Sequence, residues 1–408
     1  MFANFFVILQ SSIISPARRH FSGAQREPCQ PSAETSHTTV MTQPNIDFLL
    51  DEAVALLMQL IALPSTSRDE SAAADALQHW MTERHLSPRR LGNNIILVCP
   101  DYDAARPTLL LNAHIDTVRP VASWTREPYE PLLEDGKLYG LGSNDCGGGL
   151  VTLLQTYRVL TETPRTYNVV YAASAEEEVS GADGMSRIVA ELPSLLSTPA
   201  SLLNENVVAI VGEPTAMQPA VAEKGLMVVD VIAHGVSGHA ARDEGRNAIY
   251  EALDDMQWIR RHCFQKVSPF LGATRMTLTV VNAGTQHNVI PDECRMVVDV
   301  RSNELYTNEE IYDTLRENLA SEVKPRSFRL RSSHIDVAHP LVQRCVAMGM
   351  QPFGSPTLSD QALMPWRSLK LGPGESSRSH TADEFIRVSE MRHAIETYLS
   401  LTVGLSLA

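Results

Sequence analysis

The chain has 408 residues, 44% hydrophobic and 20% charged, with 34 Lys and Arg against 48 Asp and Glu for a formal net charge of −14. Those proportions describe a globular protein long enough for two domains, and they exclude a disordered chain. The acidic balance excludes nucleic acid as a partner, because phosphate binding needs a basic surface, and no apolar run reaches the ~18 residues of a membrane span.

Six cysteines (Cys29, Cys99, Cys146, Cys263, Cys294, Cys345) are scattered without a CxxC pair. That spacing builds neither a zinc knuckle nor a disulfide framework, so a reducing, cytoplasmic setting is expected. Residues 1–44 differ from the remainder of the chain. Phe5–Leu9 is apolar but has no basic residue before it, which makes a poor signal peptide. Residues 11–40 are rich in Ser, Pro and Arg, with no acidic residue before Glu27. A transit peptide is one reading. The simpler one starts the protein at Met41, with the leader disordered or untranslated.

From residue 46 the pattern is regular. Leu49, Leu50, Ala53, Val54, Leu57, Leu60 and Ile61 follow helical spacing, and Pro64 stops the helix. A second helix is predicted over 70–84. Apolar runs at 94–99, 108–113, 167–174 and 207–212 predict strands, alternating with helices near 146–161 and 182–192. Continuous apolar strands between helices imply a mixed or parallel sheet covered on both faces, an α/β fold. Over 225–333 the rhythm changes to strand 226–233, helix 245–262, strands 275–281 and 295–301, helix 308–320 and strand 327–331. That βαββαβ order is ferredoxin-like. The expected organisation is a catalytic domain over 45–223 and 334–408, closed by a helix at 389–405, with an α+β domain inserted at 224–333.

In such folds ligands sit beyond the carboxyl ends of the strands, so the polar residues there are informative. The run 108–113 ends in His114-Ile115-Asp116, in which an imidazole can ligate a metal while a nearby carboxylate orients it. The stretch 139–150 reads YGLGSNDCGGGL; it lacks GxGxxG and GK[ST], so Asp145 points to a metal rather than a phosphate. Glu176, Glu177 and Glu178 follow the next strand, and Glu213 the one after. Burying adjacent carboxylates costs several kcal/mol unless cations compensate. His380 lies in a Gly/Ser-rich loop before the last helix. Each has a bland alternative: a chance His-x-Asp, a solvated acidic loop, an ordinary turn. Together, imidazoles and carboxylates without thiolates suit a hydrolytic pair of borderline cations such as zinc. One carboxylate must bridge, since two metals sharing a water lie about 3.5–4 Å apart.

HID at 114–116, the G-x-x-D turn at 142–145, EEEVSG at 176–181, GEPT at 212–215 and SHTADEF at 379–385 resemble the M20 metallopeptidase family, in order and from about residue 46 onward. The resemblance implies a zinc-exopeptidase-like catalytic domain with an inserted lid that joins two copies as a homodimer. It implies two divalent ions, zinc with cobalt or manganese as the alternatives. Asp145 would bridge them, His114 and Glu213 would complete one site, and Glu178 and His380 the other. Asp116 would orient His114, Glu177 would be the general base, and a cis peptide is expected at Asp145–Cys146. In the lid, GVSGHAA carries His239, matching a histidine that reaches the partner's site and steadies the oxyanion. Asn288 in QHNVIP matches a substrate-contacting residue, and Arg301 in VVDVR an arginine that binds the substrate carboxylate. The implied substrate is a small N-acyl amino acid. The family pattern after the bridging Asp is x-Lys-Gly-Gly, but Gly147 stands here in place of the lysine. GSND, GTQHNVIP, PTLSDQAL and SSRSHTADEF are most similar to a divergent acetylornithine deacetylase branch of arginine biosynthesis that acts on N-acetyl- or N-succinylornithine. Succinyl-diaminopimelate desuccinylase and M20 dipeptidase or carboxypeptidase activities are the alternatives.

Overall fold

The computed structural model describes residues 44–242 and 244–407, so the expectations for the leader fall outside the described residues apart from its last position. The first helix, Ile46–Ile61, starts where the Asn45 side chain accepts the Phe48 N–H and buries Leu49, Leu50, Ala53, Leu56, Leu57, Leu60 and Ile61 along one stripe. With Gly148–Glu162 and Val388–Thr402 it covers one face of a nine-stranded mixed sheet.

In spatial order the sheet runs Arg89–Leu91, Asn94–Val98, Asn168–Ser174, Thr108–His114, Val207–Val211, Arg367–Lys370, Ala220–Glu223 and Ser333–His334, with Phe353–Ser355 also pairing to Ala220–Glu223. Its middle is parallel. Thr108–His114 lies between Asn168–Ser174 and Val207–Val211, and the last of these pairs in parallel with Arg367–Lys370. Four strands therefore end on the same side, which gathers the loops that leave their carboxyl ends. The three innermost are buried along their whole length. Leu109 and Leu111 pack under the three-helix face, while Leu110 joins Val170, Met185, Ile188 and Leu192 on the other. Truncating such a leucine to alanine costs about 2–5 kcal/mol.

Between Ala220–Glu223 and Ser333–His334, which are antiparallel neighbours, the chain leaves the sheet and returns. The excursion forms a four-stranded antiparallel sheet in the order Arg275–Ala283, Glu293–Arg301, Met227–His234, Glu322–Pro325. Helices Ala248–Arg261 and Asn308–Asn318 pack on its buried side chains, Val229, Val231, Met296 and Val298 among them. This is the ferredoxin-like layout expected for the insert. Its last strand lies at Glu322–Pro325 rather than over 327–331. Past Pro325 the Arg326 N–H makes one more bond, to the Val228 carbonyl, and the later run is held only by single backbone bonds, the Leu330 carbonyl accepting the Leu226 N–H and the Arg331 N–H donating to the Ala362 carbonyl. Among the described residues no helix is long and apolar enough to cross a membrane.

Candidate metal centre

His114 is the last residue of its strand and is almost fully buried. Its Nδ1 sits 2.8 Å from the Asp116 carbonyl oxygen, which can only accept, so Nδ1 carries the proton. Nε2 faces three acids: Asp145 Oδ1 at 3.3 Å, Glu213 Oε1 at 3.4 Å and Glu177 Oε2 at 3.9 Å. The other oxygen of Asp145 faces the second imidazole, with Oδ2 3.6 Å from His380 Nε2, which itself lies 3.0 Å from Glu178 Oε2. The six residues His114, Asp145, Glu177, Glu178, Glu213 and His380 thus meet at one point, and Asp145 stands between two imidazole–carboxylate groups.

Surrounded by carboxylates, Nε2 is favourably placed only with a cation, a proton or a metal ion, between it and them. Glu213 Oε1 is buried without a hydrogen-bond partner. The donor set, imidazole nitrogens and carboxylate oxygens, is the one that borderline divalent ions take. Ligand atoms of Asp145, Glu178 and His380 come within 4.8 Å of one another, as do those of His114, Glu177 and Glu178. The residues fit a pair of metal ions.

Charge crowding appears in the acid–base properties. Burial first, then Asp145, pushes the Glu213 carboxyl up to about 8. Burial also drives Glu177 well above the usual carboxylate range; His114 opposes this, while Glu213, Asp360 and Glu178 add to it. The Glu178 hydrogen bond raises His380 to about 9 against its partial burial. Each shift reflects carboxylates crowded into a largely buried site.

Asp116 has a broader task than orienting His114. Its carboxylate accepts the backbone N–H groups of Glu177 (3.0 Å) and Glu178 (3.1 Å) and the Ser67 hydroxyl (2.7 Å), while Oδ1 is 3.5 Å from His114 Nδ1. Burial works against its charge, but His114, Ser67 and the Glu177 N–H outweigh it and hold the pKa low. The carbonyl orients the imidazole, and the carboxylate fixes the turn that presents Glu177 and Glu178. The turn around Asp145 has its own holder, which sequence reasoning missed. Glu384, buried in SHTADEF, accepts the N–H groups of Gly142 (3.0 Å), Asn144 (2.8 Å) and Asp145 (2.9 Å). An acid beside a predicted ligand was the available signal. The Asp145–Cys146 peptide is cis.

Beside the cluster opens a cavity of ≈ 500 Å³, lined on one wall by Ser355–Leu358 and at its rim by Glu375 and Ser376. His239, Asn288 and Arg301 do not line it. His239 and Asn288 are exposed neighbours on the insert, where Ala240 N–H donates to the Asn288 carbonyl. Arg301 is half-buried and bonded bidentately to Asp299 at 2.8 and 3.1 Å.

Comparison with known proteins agrees with this geometry. The model of peptidase family M20/M25/M40 matches residues 110–403. Acetylornithine deacetylase of Proteus mirabilis is 28% identical over 373 residues, 82% of this chain and 91% of its own. A succinyl-diaminopimelate desuccinylase of Cereibacter sphaeroides is 27% identical over 286 residues, 66% of this chain and 72% of its own. Among solved structures, the Bacillus subtilis YXEP protein, described as a dinuclear metal binding peptidase, superposes with a TM-score of 0.65 at 17% identity, covering 89% of this chain and all of its own. At that identity the likeness speaks for the fold.

Proposed function

The chain belongs to peptidase family M20/M25/M40, and from that premise we propose that it removes an N-acetyl or N-succinyl group from ornithine or a closely related amino acid. The hydrolase class follows from the family, and the relatives named as deacetylase and desuccinylase support an N-acyl amino acid as substrate. The observation that carries the reading is Asp145, whose two oxygens face different imidazoles with Glu177 alongside. Support for a cationic side chain comes from Glu375, a rim carboxylate outside the cluster. Its neighbour Arg378 is bonded bidentately to Glu390 at 2.6 and 2.8 Å and also lies 3.0 Å from Glu375 Oε1.

His114, Asp145 and Glu213 would hold one cation, and Asp145, Glu178 and His380 the other. Cations there, zinc first among them, supply Lewis-acid polarisation of the acyl carbonyl and lower the pKa of a water toward 7. Glu177 takes the proton from the attacking water as its oxygen bonds to the acyl carbon. It returns that proton to the nitrogen as the C–N bond breaks, leaving a carboxylate and a free amine. Asp116 keeps Glu177 aimed through its backbone N–H. Arg301 binds the α-carboxylate bidentately once released from Asp299, and Asn288 contacts the substrate. His239 of a second copy steadies the oxyanion. Pairing through the insert is supported by the exposed Val280 and Val281 on its edge strand. The setting we propose is the cytoplasm, within arginine biosynthesis.

The test is a side-by-side rate comparison of N-acetylornithine, N-succinylornithine, N-acetyl-lysine and succinyl-diaminopimelate, with metal content measured on the same sample. Two divalent ions per chain and highest kcat/KM on an ornithine derivative are expected. Highest kcat/KM on N-acetyl-lysine or on succinyl-diaminopimelate would replace this substrate with that one.

A further inference from the structure

Lys370 and Glu223 form a buried ion pair that the hydrolytic chemistry does not use. They end neighbouring strands of the central sheet, Arg367–Lys370 and Ala220–Glu223, with Nζ 2.6 Å from Oε2. Their exposures are 2% and 0%. Removing both ions from water costs more than their attraction readily returns, so such a pair is poorly explained by stability. Its other contacts explain it better.

All of those side-chain contacts fall in residues 355–359. Lys370 Nζ reaches Thr357 Oγ1 at 3.2 Å, the Thr357 carbonyl at 3.3 Å and Ser355 Oγ at 3.4 Å. Glu223 Oε1 accepts the Ser359 N–H at 2.9 Å, and Oε2 accepts the Ser359 hydroxyl at 2.7 Å. The ammonium thus has its hydrogen bonds made within the protein, although it borders the cavity. The segment it holds, however, supplies Ser355, Pro356, Thr357 and Leu358 to the cavity wall. Pro356, Thr357 and Leu358 open the PTLSDQAL motif, whose Asp360 bears on Glu177 but whose first residues belong to no metal ligand set.

The wall is also tied to Arg301. Lys224 N–H donates to the Ser355 carbonyl at 3.2 Å, and Gly225 N–H donates to the carbonyl of Ser302, the next residue after Arg301, at 3.1 Å. The wall borders the cavity beside the metal cluster, so its position sets the space left for the part of a substrate that fills that cavity. We propose that the Lys370–Glu223 pair is a positioning device that fixes the 355–359 wall and thereby selects which amino-acid side chain the cavity accepts. This rests on the proposed N-acyl amino acid substrate. Selection is by shape, because the wall's own lining groups are uncharged.

The test combines Lys370→Met with Glu223→Gln, which removes both charges at similar volume, and uses N-acyl alanine, methionine, ornithine and lysine with whichever acyl group the wild type accepts. The double variant should keep wild-type metal content and a kcat within about threefold on the best substrate, while the spread of kcat/KM across side chains shrinks about tenfold through KM. Amide hydrogen exchange should speed up over 353–361 and stay unchanged around Asp145. Ser359→Ala, which leaves the ion pair intact and does not line the cavity, should give a smaller loss in the same direction, about threefold. An unchanged spread in both variants overturns the proposal, and so does an equal loss of kcat on every substrate. A wild type inert on all N-acyl amino acids sinks the substrate reading instead. The wall is then judged by exchange, and protection equal to wild type over 353–361 overturns it.

Discussion

Glu384→Gln isolates how the turn that carries Asp145 is held. The carboxylate accepts two N–H groups on Oε1, from Asn144 and Asp145, and one on Oε2, from Gly142. An amide has one accepting oxygen, so one orientation orphans the Gly142 donor and the other orphans two donors. A buried orphan costs about 1–3 kcal/mol, and each surviving bond loses about 1 kcal/mol when its acceptor is no longer charged. The total is about 3–5 kcal/mol in the better orientation. Burial and the nearby Asp145 raise Glu384 to about 8, so at neutral pH it is partly protonated without metal, and cations on Asp145 return it to the carboxylate. The full loss is therefore expected in the metal-loaded protein at pH 7, and a smaller one in the metal-free protein. Urea unfolding of both forms reads this, and zinc titration calorimetry should show affinity down about tenfold or more, as for other residues that orient a ligand. Equal midpoints for variant and wild type in the loaded form, with unchanged zinc affinity, would refute the assignment.

Glu177→Gln should retain both metals but lose most turnover, about 10²-fold or more in kcat; wild-type kcat would remove Glu177 as the base. Gly147→Ala places a Cβ 2.5 Å from the Gly142 carbonyl oxygen and 2.6 Å from Leu57 Cδ1, so a loss of about 1–3 kcal/mol is expected in thermal unfolding. Glu375→Gln should raise KM for the ornithine derivative relative to the methionine one about tenfold, and an unchanged ratio would detach Glu375 from side-chain recognition. In the metal-free protein the folded pKa values of Glu213 (about 8, from 4.5) and His380 (about 9, from 6.5) are raised. Stability from raised groups is present at low pH and lost as pH climbs through those values, so metal-free stability should fall from about pH 5 to pH 9. Metal binding needs both groups deprotonated, so affinity should rise over the same interval, and the melting-temperature gap between loaded and metal-free protein should widen. A constant gap would contradict this.

The clustering of His114, Glu177, Glu178 and Glu213 was legible because three strands of the sheet's middle, 108–114, 168–174 and 207–211, are mostly apolar runs that stop at or just before an acid or imidazole. Parallel pairing then brings those stops to one side. Short edge strands were not legible. Leu132–Glu134, Lys137–Tyr139 and Phe385–Arg387 form a separate three-stranded sheet, and three residues carry no readable period. The Lys370–Glu223 pair was invisible for another reason. A lysine closing an apolar strand reads as a surface residue, and its partner arrives only when strands far apart in sequence become neighbours. His239, Asn288 and Arg301 were found only through family resemblance, and one copy of the chain does not bring them to the cavity. The roles proposed for them would need a second copy or a movement of the insert, neither of which local sequence encodes.

The turn at 142–149 shows how a departure from the family pattern can be accommodated. Where the family pattern has a lysine, Gly147 has an ordinary helical backbone (φ −58°, ψ −37°), so conformational freedom does not explain the glycine. Space does: Gly142 O and Leu57 Cδ1 occupy the volume a side chain would enter, and Gly147 N–H closes the turn on the Gly142 carbonyl at 2.9 Å. Leu57 in turn belongs to the buried stripe of the first helix, so the core presses directly against the metal-bearing loop. With no side chain at 147, the N–H groups of Gly142, Asn144 and Asp145 are gathered by an anion, Glu384, from the far end of the chain. That anion adds negative charge to a site already crowded with carboxylates, which is tolerable only when cations are bound. The integrity of the turn and occupancy of the proposed metal sites are therefore expected to be coupled, and Glu384→Gln and metal removal should fail to add when combined.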